Sequence, residues 1–256
     1  MDASLALPQF GYRYIPGPFQ YSAGVAALDG HRIERLRFEN PLPLEEGFNR
    51  IERHLDEAGL KPTAFCACEL RSPAPFTDEG FRAFNRFYVG RLERWGIMKG
   101  DANPVARSNV CPEIDKPASP SFHAFSIVVP ASGVGARGVG ASFVIAGSGE
   151  AQEGDGPYSA KTIRYRDTSA TAMREKAIFV LGQMEKRMGA FGAGFAHTTA
   201  AQVYTVHDLH GFLADEIVAR GAARHGLTWH YARPPVIDLE YEMDCRRISV
   251  EQVIPA

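Results

Sequence analysis

Half a chain separates two stretches with the same local pattern, "PVARSNV" at residues 104–110 and "HYARPPV" at 230–236, each placing an arginine after an alanine at the mouth of a strand-like run. A sequence that repeats itself once in this way has few folds open to it, because each copy must supply the same kind of supersecondary unit. The segments around Arg107 and Arg233 follow that order. In the first half, the extended "FQYSAGVAAL" turns at Asp29-Gly30 into "HRIERLRFE", the pattern of a hairpin, since Asp-Gly suits a tight turn between strands. "PLPLEEGFNRIERHLDEAGL" then reads as a helix. Phe48, Ile51 and Leu55 recur at helical spacing, Glu45 and Glu46 suit its positive end, and Gly59 can stop it. A strand, "TAFCACEL", is followed by a second amphipathic helix with Phe81, Phe84, Tyr88, Leu92 and Trp95 along one side, and after the Arg107 motif comes the strand "SFHAFSIVVP".

The second half replays this order. "SFVIAGSGEA" is a strand running into a Gly-rich turn, and Met173, Val180, Leu181, Met184 and Met188 mark the buried face of a long helix. "TAAQVYTV" is the next strand, "DLHGFLADEIVARG" the second helix, and "DLEYEMDCRRISV" the closing strand. The expected fold class is therefore α+β: two tandem ββαβαβ units, residues 1–130 and 142–256, each a sheet with helices packed on one face. The Gly-rich stretch 131–141 joins them. Its Gly133, Gly135 and Gly138 spell G-x-G-x-x-G, but a dinucleotide site needs a helix after the glycines, and "ASFVIAG" is strand-like, so a flexible connection is expected.

Composition narrows the partners. The 30 acidic residues nearly balance the 28 basic ones and no block of Lys or Arg occurs, which argues against nucleic acid and anionic membrane. The start, "MDASLALPQFGYRYIPG", lacks a signal-peptide pattern, and no run approaches the ~18 apolar residues of a membrane span, so a cytoplasmic location is expected. Four cysteines are then expected reduced, with Cys66 and Cys68 as small core fillers sharing one strand face.

With "YSAG", "FNRFY" and "VARSN" in the first half and "AGSGE", "YARPP" and "LEYEM" in the second, each half resembles the Rid (YjgF-type) family of reactive imine and enamine deaminases. The resemblance implies a chorismate-mutase-like fold in each half. It also implies carboxylate-binding arginines at Arg107 and Arg233, with Ser22, Gly24, Asn85, Ser148, Gly149 and Tyr231 lining the sites, and Asn109, a further candidate, standing where many relatives have cysteine. The family glutamate falls on Glu240 in the second half, with Glu242 beyond it on the same strand face, whereas His123 takes its place in the first. Because the copies depart from the pattern at different points, unequal or composite sites follow. Family clefts lie between neighbouring units of three-unit rings, which implies a homo-oligomer, a trimer of two-unit chains.

The chemistry of the residues agrees. A guanidinium holds a carboxylate through two parallel charge-assisted hydrogen bonds, although both arginines have a plainer alternative in surface carboxylates such as Glu113 or Asp238. Glu240, Glu242 and His123 are the candidate proton carriers, with a salt-bridge ladder to Arg246 and Arg247 as the alternative for the glutamates and a satisfied buried ring as that for His123. His207 and His210 lack a third ligand at a readable spacing, so no metal is expected, and hydrolysis of an imine needs no cofactor. The implied function is a deaminase for a small unsaturated amino acid with one or two carboxylates, such as 2-aminomuconate or its chlorinated relative. A chorismatase-like enzyme and a non-catalytic binder of small acids are the alternatives.

Overall fold

The computed structural model describes residues 4–131, 141–154 and 156–256. The G-x-G-x-x-G glycines of the connecting stretch lie outside the described residues. Among the described residues the strands form two sheets. One has seven strands in the order β1 (Leu5–Leu7), β2 (Tyr12–Ile15), β3 (Gly24–Ala27), β8 (Phe143–Gly149), β12 (Glu242–Arg247), β9 (Ala200–Tyr204) and β10 (Thr228–His230). The other runs β11 (Ala232–Arg233), β6 (Ala106–Pro112), β5 (Phe65–Arg71), β7 (Ser121–Pro130), β4 (His31–Pro43) and β13 (Glu251–Ile254).

This overturns the expectation of two tandem chorismate-mutase-like units. Strands of both halves enter both sheets: β1 to β3 complete the sheet of the second half, while β11 and β13 complete that of the first. The expected hairpin at Asp29-Gly30 is a correction of the same kind. Gly30, at φ +77°, makes a tight turn, with His31 N–H donating to Leu28 O at 3.0 Å, but the turn carries the chain from one sheet to the other. β3 pairs antiparallel with β2 and with β8, and β4 with β7. The exchange leaves fewer bare edges than two separate units would, since β3 covers the open side of β8 and β13 runs parallel along β4. The arginine-bearing stretches themselves meet, with Ala232 opposite Pro112 and Arg233 opposite Cys111.

Helices cover the outer faces. α1 (Leu44–Glu57) buries Phe48, Ile51 and Leu55, with Glu45 and Glu46 in its first turn, and Gly59 follows its end at φ +67°. α2 (Asp78–Arg94) is capped by Thr77, whose Oγ1 accepts from Gly80 N–H at 3.1 Å. Both pack on the six-stranded sheet around Phe65, Leu70, Phe122 and Phe125. After the one-turn α3 (Tyr158–Lys161), α4 (Ala170–Gly189), capped by Ser169, lays Met173, Val180, Leu181, Met184 and Met188 on the seven-stranded sheet. The second helix expected in this half is only a turn, His210–Phe212, running into π-helical Leu213–Val218.

The inner faces of the sheets meet. Tyr12, Val25, Ile33, Cys66, Ala106, Val128 and Ala146 form an apolar part of that interface. Beside it runs a polar seam. Arg35 donates to both oxygens of Glu69 at 2.6 and 3.0 Å, and Asp244 accepts from Gln202 at 2.9 Å, Tyr204 at 2.8 Å and Ser108 at 2.5 Å. Burial pushes Glu69 toward its neutral form, but the pull of Arg35 outweighs it and holds the carboxyl well below the usual range. All four cysteines are free and buried. Cys66 and Cys68 do not share a face: irregular register against β7 between Phe65 and Ala67 turns Cys66 inward, while Cys68 meets the Tyr88 hydroxyl at 3.3 Å on the helix side.

Candidate functional site

Where the sheets join, β6 of one runs close to β8 and β12 of the other, and the chain before β3 crosses above them. These elements, with α2, the loop after β8 and one side chain from α4, enclose a cleft of about 800 Å³.

Its most telling wall is β6. Alternation along the strand sends Ser108 to the inter-sheet seam and Arg107 and Asn109 the other way, into the cleft. Arg107 is only 3% exposed. Its Nη2 donates to Asn85 Oδ1 of α2 at 2.6 Å, and its guanidinium carbon lies 4.7 Å from the ring centre of Tyr88, 5.5 Å from Phe84, 5.6 Å from Tyr21 and 5.9 Å from Phe81. Such a collar stabilises a cation. It does not satisfy its donors: among the described residues Arg107 Nη1 is buried with no hydrogen-bond partner, and so are Asn85 Nδ2 and Asn109 Nδ2. Among the described residues no carboxylate pairs with Arg107. A buried guanidinium without an anion is costly, and unpartnered donors on residues that line a cleft are the chemistry of an anion receptor.

Glu242, the first residue of β12, lines the same cleft. Burial raises its carboxyl well above the usual range. The negative charges of Asp244 and Glu150 add to that, and Arg107 and Arg187 offset only part of it. The shift favours its neutral form, the form that can donate a proton. The neighbouring β8 gives it room at Gly147, where a Cβ would collide with Glu242 Oε1 and stand 3.2 Å from Ser108 Cα. Ser148 and Gly149 continue that wall.

Not every expected residue is here. Arg107, Asn109, Ser148, Gly149 and Glu242 line the cleft, and Asn85 touches Arg107 from behind. Ser22 and Gly24 lie next to it in a structural role: Ser22 Oγ bonds the carbonyls of Gly24 and Pro104, tying the two sheets together. Arg233 points elsewhere. Its Nε donates to Glu113, the plainer partner foreseen from sequence, and its Nη1 to Glu240 at 2.8 Å. Glu240 also meets His207 Nε2 at 2.8 Å, and Glu240 is not part of the cleft wall. Tyr231, half exposed, offers only its carbonyl, to Glu113 N–H at 3.2 Å. His123 faces the polar seam, its ring 6.4 Å from that of His230. Burial, with Arg71 beside it, pulls its pKa down to about 3. It is therefore neutral at working pH and outside the cleft.

The sequence expectations missed Arg187, Tyr21 and Glu153, all on the cleft wall. Arg187 had a signal: it interrupts the methionine stripe of α4 between Met184 and Met188 and is buried there. Cys111, four residues past Arg107, is buried, and burial pushes its thiol up to about 12. Among the described residues no three His, Cys, Asp or Glu side chains are grouped as metal ligands would be, and no helix is long and apolar enough to cross a membrane.

Residues 5–252 match the family described as 2-aminomuconate deaminase CnbZ. The 2-amino-5-chloromuconate deaminase of Comamonas testosteroni is 50% identical over 244 residues, covering 95% of this chain and 96% of that protein. Solved structures that overlap it include a chorismatase, at 11% identity and TM-score 0.48 over 88% of this chain and 77% of that one. A cyanuric acid hydrolase from A. caulinodans overlaps at 14% identity and TM-score 0.41, over 86% and 67%.

Proposed function

The chain belongs to the 2-aminomuconate deaminase family, and from that premise we propose that it hydrolyses 2-aminomuconate or its 5-chloro derivative to ammonia and a 2-oxo acid in the cleft of Arg107 and Glu242. One observation carries the reading. Arg107 and Asn109, residues of the cleft wall, carry the buried, unpartnered donors Nη1 and Nδ2, and the same wall carries Glu242, whose carboxyl is shifted by burial toward its protonated form.

In this reading Arg107 and Asn109 grip the carboxylate beside the amino-bearing carbon, each charge-assisted bond contributing roughly 1.5–3 kcal/mol. Glu242 gives its proton to the enamine carbon, and the C=C electron pair that forms the new C–H bond leaves a C=N iminium. Water then adds to the C=N carbon, with Glu242 taking up the proton it releases. The resulting carbinolamine collapses: Glu242 passes its proton to the nitrogen, the C–N bond breaks to release ammonia, and the hydroxyl gives its proton back to Glu242 as the oxygen forms the carbonyl. The sum is one water consumed and one ammonia released. Each step is a proton transfer, the addition of water or the loss of ammonia, so the reading needs neither metal nor organic cofactor, and enzyme treated with a chelator is expected to keep its rate.

The test is ammonia release from 2-aminomuconate by the pure protein. Equimolar ammonia and 2-oxo acid are expected, with Arg107→Gln raising KM. Binding of the substrate with no ammonia would identify a binding protein and overturn the reading.

A further inference from the structure

Two cations on the cleft wall are buried, Arg107 and Arg187, whereas Arg82 and the Lys161 ammonium are exposed. Arg107 has no carboxylate partner among the described residues; Arg187 does. Its Nη1 donates to Ala146 O at 3.0 Å, which fixes one edge of the guanidinium to β8. Its Nη2 donates to Glu153 Oε1 at 2.8 Å. The two sides of this pair are unequal. Arg187 has a side-chain exposure of 5% and Glu153 one of 55%, and Glu153 sits in the loop between β8 and α3. A buried cation is thus neutralised by a carboxylate that water can solvate at small cost once it is displaced. Arg107 and Arg187 line one cleft, together with Tyr21 and Glu242, so the two guanidinium groups border one space.

We infer that Arg187 anchors the second carboxylate of a dicarboxylic substrate, and that Glu153 stands in for that carboxylate and is displaced from Arg187 by it. The inference rests on the reading that Arg107 takes the first carboxylate. It makes the cleft selective for diacids over monoacids of the same skeleton.

Calorimetric titration of the full chain with muconate and with sorbate tests it. Both are six-carbon dienes, with two carboxylates and one, and neither has an amine to lose. Wild type is expected to bind muconate about 10-fold more tightly than sorbate, the low end of one charge-assisted contact, because the Glu153 contact is given up in exchange. Arg187→Gln is expected to remove that preference while leaving sorbate affinity nearly unchanged, and Arg187→Lys to keep part of it. Glu153→Gln, an exposed substitution that leaves Arg187 in place, is expected to tighten muconate more than sorbate. A muconate preference that survives in folded Arg187→Gln, or an unchanged muconate affinity in Glu153→Gln, overturns the inference. Should Arg187→Gln fail to fold, the Glu153→Gln comparison decides alone. The outcomes also separate from those of the deaminase reading. Ammonia release with a preference indifferent to Arg187 sinks only the anchor, and an Arg187-dependent preference without ammonia release sinks only the chemistry.

Discussion

Lys176 and Glu150 have no solvent exposure at all, and their pairing holds the approach to Glu242 in place. Glu150 Oε1 accepts from Lys176 Nζ at 3.1 Å and from Glu240 N–H at 2.6 Å, and Oε2 accepts from Tyr241 N–H at 3.1 Å, the two amides directly preceding Glu242. Lys176→Met keeps the stem and removes the charge. Breaking a buried pair from one side costs roughly 3–5 kcal/mol, because the other charge stays behind unpaired. Here the two backbone donors remain on Glu150, so the lower part of that range applies, about 3 kcal/mol. For a domain of this size that is a fall in Tm of roughly 6–12 °C. The deficit also depends on pH. Burial, only partly offset by Lys176, raises the Glu150 carboxyl in the folded chain above its ordinary value. The stability tied to its proton is therefore whole below the unfolded pKa and drains away as pH rises through the folded one. Removing Lys176 raises the folded pKa further, so the gap between variant and wild type should widen from acid to neutral pH. Thermal and urea unfolding across that window, with the Lys176→Met/Glu150→Gln double variant, check this. A loss below about 1 kcal/mol, or losses that simply add in the double variant, would refute the reasoning.

Three further outcomes are expected. Glu242→Gln should slow ammonia release about 10²–10⁴-fold. In wild type, activity should persist while the raised Glu242 carboxyl stays protonated and fall as pH rises through its pKa, a limb absent from the residual rate of the variant. Gly147→Ala pushes a methyl group into the Glu242 carboxyl, so kcat should drop about 10²-fold, the usual effect of a displaced catalytic group, with a much smaller change in Tm. His123→Asn should leave the pH profile of kcat unaltered, since the ring titrates at about 3 and lies in the polar seam; the loss of a limb would place it in the chemistry after all.

Local structure was legible from the sequence wherever one physical signal dominated. The spacing of Phe48, Ile51 and Leu55, and the methionine stripe of α4, reported buried helix faces because a helix must hide one side. Partner choice was not legible. Asp29-Gly30 states that the chain turns but not which strand lies beyond, and the edge of β8 claimed β3 in place of the sequence neighbour β4. Cys66 and Cys68 separated because one irregular pairing breaks the period of two, a feature that alternation cannot express. On the cleft wall, Arg107 stood in a motif, Asn109 at a departure from it and Glu242 two residues past the motif glutamate, whereas Arg187, and Lys176 outside the cleft, were hidden among apolar neighbours. A cation on a buried helix face is itself the signal, since it is costly there unless something answers it.

The two arginines that first pointed to a repeat show why a repeated motif need not make a repeated site. Both follow an alanine and both lie in the six-stranded sheet, yet their surroundings differ in what covers the strand. β6 has α2 across it, which brings Asn85, Phe81, Phe84 and Tyr88 down onto Arg107, strips it of water and offers it no carboxylate. β11 is a two-residue edge strand with nothing of that kind above it, so Arg233 keeps about a third of its side chain in solvent and closes on Glu113 and Glu240. An exposed guanidinium already paired twice gains little by exchanging one carboxylate for another, because the new bond replaces an equal one. A buried guanidinium with an empty donor gains the whole interaction. Of the two motif arginines, Arg107 is therefore the one with an interaction left to give an anion, and the Arg233 cluster fastens the start of β12, the strand that carries Glu242, to the loop after β6.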